Sequence, residues 1–205
     1  GGRDSLIYYS IQHLAVVPAT GGAVRVLTSS LDRNFVNPAW SSDGASIYAQ
    51  LEDDGSMLLA RVPRAGGAVA RVLGGARVVA GISAGGGHVA IVQSTVTHPN
   101  DVYALDGDSV RALSDQNAWL REVRLAAQEA ITVKSRDGTA VHGFLMRPAS
   151  YASGTRVPAI LRIHGGPVSE WENGFELSWQ MLAAHGFAVV WMNPRGSSGC
   201  GQVWA

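Results

Sequence analysis

Val157-Pro-Ala-Ile-Leu-Arg-Ile-His-Gly-Gly-Pro167 is the stretch whose reading decides the fold. Residues 157–163 form an apolar run of strand length, the kind of strand that is covered on both faces in a parallel sheet. His164-Gly-Gly-Pro167 then ends it abruptly. Two glycines at a strand end let the backbone adopt dihedrals closed to other residues and leave N–H groups unshielded. Unshielded N–H groups at such a place can hold a developing oxyanion, and one donor of this kind contributes about 2.7–4 kcal/mol to a transition state. Taken alone, the motif reads equally well as a turn that needs two glycines.

The residues that follow tip the balance. Phe175, Trp179, Leu182 and Ala183 fall on one helical stripe, which predicts a helix over 175–185 with Gly186 as its C-terminal cap. Phe187-Ala-Val-Val-Trp-Met192 is a second buried strand, and Asn193-Pro-Arg-Gly-Ser-Ser-Gly-Cys-Gly201 follows it. Strand, loop, helix and strand make a βαβ unit, so a parallel sheet is expected here. Upstream, Ala130-Ile-Thr-Val-Lys-Ser135 alternates as a strand, Arg136-Asp-Gly-Thr139 turns it, and Ala140-Val-His-Gly-Phe-Leu-Met146 returns. Residues 119–129 read as a connector and residues 148–156 as a loop.

Before residue 120 the chain repeats itself. Val17-Pro-Ala-Thr-Gly-Gly-Ala-Val-Arg-Val-Leu27 returns as Val62-Pro-Arg-Ala-Gly-Gly-Ala-Val-Ala-Arg-Val-Leu73, with Pro18 and Pro63 45 residues apart. A weaker third copy is Val102-Tyr-Ala-Leu-Asp-Gly-Asp-Ser-Val-Arg-Ala-Leu113. Trp40-Ser-Ser-Asp-Gly-Ala-Ser-Ile-Tyr-Ala49 alternates with these and matches Ile82-Ser-Ala-Gly-Gly-Gly-His-Val-Ala-Ile91, offset by 42 residues. Short Val, Ile, Leu and Tyr runs split by Gly-Gly or Asp-Gly are hairpin signals. A period of this length with about four strands per unit reads as β-propeller blades. Some two and a half blades are present where closure takes at least four, so further N-terminal blades are expected outside the chain.

Composition bounds the function classes. The 205 residues are 46% hydrophobic and 16% charged, which suits a packed core. Formal net charge is zero, which argues against a nucleic-acid partner. The single cysteine, Cys200, excludes an internal disulfide and fits a reducing compartment. No apolar run approaches the length of a membrane span, and Gly1-Gly-Arg-Asp4 has no signal-peptide pattern. A cytoplasmic location is the expectation, with periplasmic or secreted locations left open.

His-Gly-Gly-Pro, then a helix, then a strand ending in Asn-Pro-Arg-Gly-Ser-x-Gly-x-Gly resembles the acylaminoacyl-peptidase branch of the prolyl oligopeptidase family. The Arg136-Asp-Gly hairpin sits where that family opens its catalytic domain, and the repeats match its seven-bladed propeller. The resemblance implies the C-terminal blades of a β-propeller over residues 1–122. It implies the N-terminal part of an α/β-hydrolase domain over 123–205, cut before the nucleophile elbow. It further implies hydrolysis of short peptides by a Ser-Asp-His triad whose members are expected after Ala205, so the chain alone is expected to be inactive. Gly165 and Gly166 then form the oxyanion-hole loop, supported by His164, Pro167, Asn193 and Arg195. No cofactor or metal is implied. The expected partners are a short peptide and the remainder of the same polypeptide, without nucleic acid or membrane, and a homo-oligomer stays open. Cys200 departs from the Tyr often found at its position. An esterase of the same fold, or a propeller binding protein with a vestigial hydrolase half, are the competing readings.

Other signals are weaker. Gly81-Ile-Ser-Ala-Gly85 matches a nucleophile elbow in letters only, because it is followed by a strand where the elbow needs a helix. His164 precedes any nucleophile in a fold whose triad runs Ser, Asp, His, so it reads as a brace for its own loop. Arg195 reads as a clamp on nearby carbonyls or carboxylates. Arg162 is expected to need a buried partner. Cys200 lacks an identifiable base, and Asp53-Asp54 reads as a solvated turn.

Overall fold

The computed structural model describes residues 10–166 and 168–204. Its first part is built of antiparallel hairpins. Strands β1 (Ala15–Val16) and β2 (Arg25–Val26) pair through the first Pro-to-Gly-Gly repeat. Strands β3 (Phe35–Trp40), β4 (Ser46–Glu52), β5 (Met57–Pro63) and β6 (Ala70–Leu73) follow, each antiparallel to the one before. Strands β7 (Val78–Gly85), β8 (His88–Thr95), β9 (His98–Asp106) and β10 (Ser109–Ala112) repeat that meander. The β3–β4 ladder shifts register between Val36 and Ala39, where Pro38 has no N–H to give and Asn37 takes a positive φ of 50°. The strand ladders of the two meanders join at one parallel pair, Met57 with Val78, and none of the sheets closes on itself among the described residues.

Alternation along the strands sends apolar side chains to both faces. Leu14, Leu27, Phe35, Ile47 and Leu51 fill the layer between the first hairpin and the β3–β6 sheet. Leu59, Leu73, Val79 and Ile91 fill the layer between the β3–β6 and β7–β10 sheets, with Tyr48 and Tyr103 at its margin. Gln50 is buried among them and donates to the Val79 carbonyl at 2.6 Å, which satisfies its amide across the layer.

The last part is a mixed sheet. After a short 3-10 turn, Ala118–Glu122, strand β11 (Gln128–Lys134) starts two residues earlier than its alternation suggests and pairs with β12 (Ala140–Met146). Strand β13 (Ala159–Arg162) and strand β14 (Ala188–Asn193) flank helix α1 (Leu177–Ala184), and the sheet order is β11-β12-β14-β13. Strands β13 and β14 are parallel, as the βαβ reading requires, while β12 and β14 are antiparallel. The helix ends as expected. Gly186 at φ +88° donates to the Ala183 carbonyl, and the Phe187 N–H returns to Leu182.

The core under this sheet is aromatic. The Trp179 and Trp191 rings lie 4.0 Å apart between centroids, and Trp171 meets Trp179 edge-on at 5.0 Å. Trp179 and Trp191 are both fully buried. The Gln180 amide holds the connector by exchanging hydrogen bonds with the Ala126 N–H and carbonyl at 2.8 and 3.1 Å.

Strand β13 is parallel and in place, with Leu161 60% exposed and Ile163 81%. One expectation is corrected: Arg162 is exposed and needs no buried partner. Among the described residues no helix is long and apolar enough to cross a membrane.

Replacing Trp179 by Ala removes the centre of the aromatic stack, and should destabilise the full-length protein by about 3–5 kcal/mol. Denaturant unfolding followed by fluorescence measures this, and a loss below about 1 kcal/mol contradicts the packing described.

Candidate functional site

Strands β13 and β14 run parallel, so the loops that leave them emerge on the same edge of the sheet. The first loop carries His164, Gly165 and Gly166; Pro167 lies outside the described residues. The second follows Asn193, the last residue of β14, and carries Arg195 and Ser197. Asn193 is buried and clasps the first loop's continuation through both ends of its amide. It accepts from the Trp171 N–H at 2.8 Å and donates to the Trp171 carbonyl at 3.0 Å. Ser198 N–H donates to the Ser169 carbonyl at 3.0 Å. His164 bridges the two loops, with Nε2 at 2.8 Å from Ser197 Oγ and Nδ1 at 2.8 Å from the Gly165 carbonyl. Arg195 pairs with Asp137 in the β11–β12 turn and reaches Thr139, which fits the clamp reading. Hydrogen bonds from Ser135, Thr139 and Arg195 hold the Asp137 carboxyl well below the usual carboxylate range.

Gly165 and Gly166 are exposed, and a Cβ on either would meet nothing within 4 Å. Neither has a positive φ, contrary to the expectation of unusual dihedrals. Neither the φ angle nor a neighbouring atom demands a glycine at these two positions. Among the described residues neither N–H has a hydrogen-bond partner.

Opposite these loops sits the β4–β5 turn. Asp53-Asp54 is a seated turn with Asp53 paired and only the Asp54 side chain half exposed, which corrects the reading of a freely solvated turn. Asp53 is paired with Arg33 and Arg71. Asp54 N–H donates to the Gly199 carbonyl at 3.0 Å, and its carboxylate lies 3.2 Å from His142 Nδ1. Gly55 N–H donates to Glu170 Oε2 at 2.8 Å, and the Gly55 carbonyl accepts from both the backbone and side chain of Asn173 at 2.7 Å. A Cβ at Gly55 would lie 2.8 Å from the Phe144 ring, so only glycine lets the turn approach this closely.

Beside the turn, the two loops border an open cavity of about 570 Å³ that Gln12, Arg33, Glu52, Glu170, Glu172 and Ser197 help to line. Burial and the nearby Glu52 push the Glu170 carboxyl up to about 9, the Gly55 N–H opposing. Burial, then Glu52, also raises Glu172. Burial, then Asp54 and Glu170, push the Cys200 thiol up to about 12, which disfavours its thiolate. Ser83 lies inside β7, paired with Ala90, and its elbow-like letters are a strand. The described residues contain no group of three or more side chains suited to a metal ion.

Sequence reasoning missed Glu52, Glu170, Glu172, Asn173 and Ser197. The one available signal was Glu170-Trp-Glu172, two acids close behind the glycine motif in a charge-poor stretch.

No family model matches the chain. It is 41% identical over 106 residues to the uncharacterized peptidase YuxL of Bacillus subtilis, covering 51% of this chain and 16% of that protein. It is 28% identical over 199 residues to dipeptidyl-peptidase 5 of Trichophyton schoenleinii, covering 93% of this chain and 27% of that one. Among solved structures it resembles Pyrococcus horikoshii acylaminoacyl peptidase, with a TM-score of 0.79 and 26% identity over 90% of this chain and 29% of that one. Porphyromonas gingivalis dipeptidyl peptidase 4 shares the fold at 17% identity, with a TM-score of 0.74 over 94% of this chain and 29% of that one. The chain thus spans less than a third of the length of each of these relatives.

Glu170 makes stability depend on pH. The folded state keeps its proton to about 9, against an ordinary 4.5, so between those values it holds a proton that the unfolded chain has released. Stability is therefore fully present below the lower value and falls as pH rises towards the upper. Glu170→Gln removes the titration, and the melting temperature of the full-length variant should decline less steeply than wild type across this range. Equal slopes contradict the assignment.

Proposed function

Because the chain belongs to the prolyl oligopeptidase family, we propose that it forms the junction of a serine peptidase for short peptides, where propeller blades meet a hydrolase domain. Residues 1–122 are the blades: β1–β2 closes one unit, and β3–β6 and β7–β10 are two whole ones. Residues 123–205 open the α/β-hydrolase domain. The serine, aspartate and histidine of the triad lie elsewhere in the polypeptide. An activated serine attacks the peptide carbonyl, histidine moves the proton, and aspartate orients the histidine.

The observation that carries this reading is the pair of unpartnered N–H groups at Gly165 and Gly166, at the end of a parallel strand and beside a cavity-lining loop. An N–H that no protein acceptor occupies is available to an oxygen that gains charge in the transition state. Of the two, Gly166 is the donor in this reading. His164, Asn193 and Arg195 support the loop and take no part in bond making. The seated β4–β5 turn supports a propeller that faces the site and limits entry to short or unfolded peptides. A cytoplasmic location fits the one free thiol.

Kinetics on the full-length protein test the assignment. Gly166→Pro removes the N–H and should lower kcat on a peptide p-nitroanilide by roughly 10² or more while KM changes little. Gly166→Ala keeps the N–H and should lose far less. A folded Gly166→Pro enzyme with wild-type kcat refutes the donor. Cleavage of simple esters but of no peptide refutes the peptidase.

A further inference from the structure

Two segments meet at the site, the one between β13 and α1 and the one that follows β14. Backbone outside strands and helices has no ladder to fix it, so its pose is set by the bonds it makes elsewhere. Among the described residues, the next hydrogen-bonded anchors after Gly166 are Ser169 and Glu170. The Ser169 carbonyl accepts from the Ser198 N–H at 3.0 Å, and Ser198 Oγ donates in turn to Glu52 Oε1 at 2.5 Å. The Glu170 carboxyl accepts from the Gly55 N–H at 2.8 Å. Both paths end on one element, the β4–β5 hairpin. The same hairpin takes Asn173 of the first segment on the Gly55 carbonyl and on Ser56 Oγ, at 2.7 and 3.0 Å. It takes Gly199 of the second through the Asp54 N–H.

The hairpin is built to hold a fixed spacing. Asp53 and Ser56 exchange both backbone hydrogen bonds, at 2.9 and 3.1 Å, around Asp54 and Gly55. Those two residues have φ of 45° and 72°, the paired positive values of a two-residue turn whose twist matches its strands. Behind the turn, Asp53 is tied to Arg33 and Arg71. The fit in front is close, for a Cβ on Gly55 would lie 2.8 Å from the Phe144 ring and 3.2 Å from the Trp171 carbonyl oxygen.

We propose that the β4–β5 hairpin is a positioning element for the reaction: by holding Glu170 and Ser198 at a set spacing it fixes the pose of both loops, so that kcat, and not only the admission of substrate, depends on its seating. The proposal rests on the reading of the first loop as the carrier of the oxyanion donor. A hairpin that only excludes large substrates leaves turnover of the smallest ones untouched. A positioning hairpin acts on all substrates alike, because a misplaced donor loses its effect in the transition state and not in the ground state.

The test uses the full-length protein and two substrates, an aminoacyl p-nitroanilide and a longer peptide. Gly55→Val drives a side chain against Phe144, and Glu170→Ala removes the acceptor of the Gly55 N–H. Each should lower kcat roughly tenfold or more on both substrates, with KM within about threefold of wild type. Glu170→Gln keeps a neutral acceptor for that N–H and should recover most of the loss. Melting curves establish folding, and Glu170→Ala carries the test by itself if Gly55→Val does not fold. If the folded variants keep wild-type kcat on the p-nitroanilide while turning over the longer peptide faster, the hairpin only excludes substrate and the proposal falls. It also falls if Glu170→Gln loses as much kcat as Glu170→Ala. Gly166→Pro is measured alongside. If it is impaired while Gly55→Val and Glu170→Ala match wild type, the donor stands and the proposal falls. If Gly166→Pro itself keeps full kcat, the donor reading fails and takes the proposal with it.

Discussion

Asn193 holds the Trp171 backbone at two points, accepting from its N–H and donating to its carbonyl. Much of the rest depends on this clasp. Parallel pairing of β13 and β14 delivers two loops to one sheet edge but leaves their relative pose open. A buried amide whose donor and acceptor are both used has one orientation that leaves nothing unsatisfied, and a net stabilisation of about 0.5–1.5 kcal/mol per bond understates that constraint. With the segment after the glycine motif held against the end of β14, His164 reaches Ser197 and Trp171 joins the aromatic stack.

The same pose creates the seat for the β4–β5 turn. Asn173 and Glu170 receive Gly55 from the first loop, and Gly199 receives Asp54 from the second. Four carboxylates, Glu52, Asp54, Glu170 and Glu172, gather where the two parts of the chain meet. Desolvation and mutual repulsion make full ionisation costly there, and the raised Glu170 carboxyl is the response. A neutral acid at this joint lets the turn come close without stacking negative charge, and the Gly55 N–H has a fixed acceptor. The joint thus rests largely on backbone groups of the turn, received by the Glu170 and Asn173 side chains and by the Gly199 carbonyl, with His142 beside Asp54 at its edge.

The legible part of the fold is local. Hairpins announce themselves through Gly-Gly and Asp-Gly turns between alternating strands, and the β13-α1-β14 unit through its apolar stripe and the Gly186 cap. Asn193 and His164 could be marked because they sit beside glycine-rich motifs. The seat could not. The Gly55–Glu170 bond joins residues 115 apart in sequence, and Asp53-Asp54 has the letters of any solvated turn. Gly165 and Gly166 show a further limit: the letters suggest a special dihedral, yet neither glycine has a positive φ and open space surrounds both.

The central claim is geometric, and a crystal structure of the full-length protein carrying a peptide boronate on its nucleophile tests it most directly. The account predicts a tetrahedral oxygen about 2.7–3.1 Å from the Gly166 nitrogen, the distance of an oxyanion donor. It also predicts His164 Nδ1 on the Gly165 carbonyl and Ser197 on Nε2 in the same crystal. A boronate oxygen held by other donors, with the Gly166 N–H turned away from it, contradicts the account.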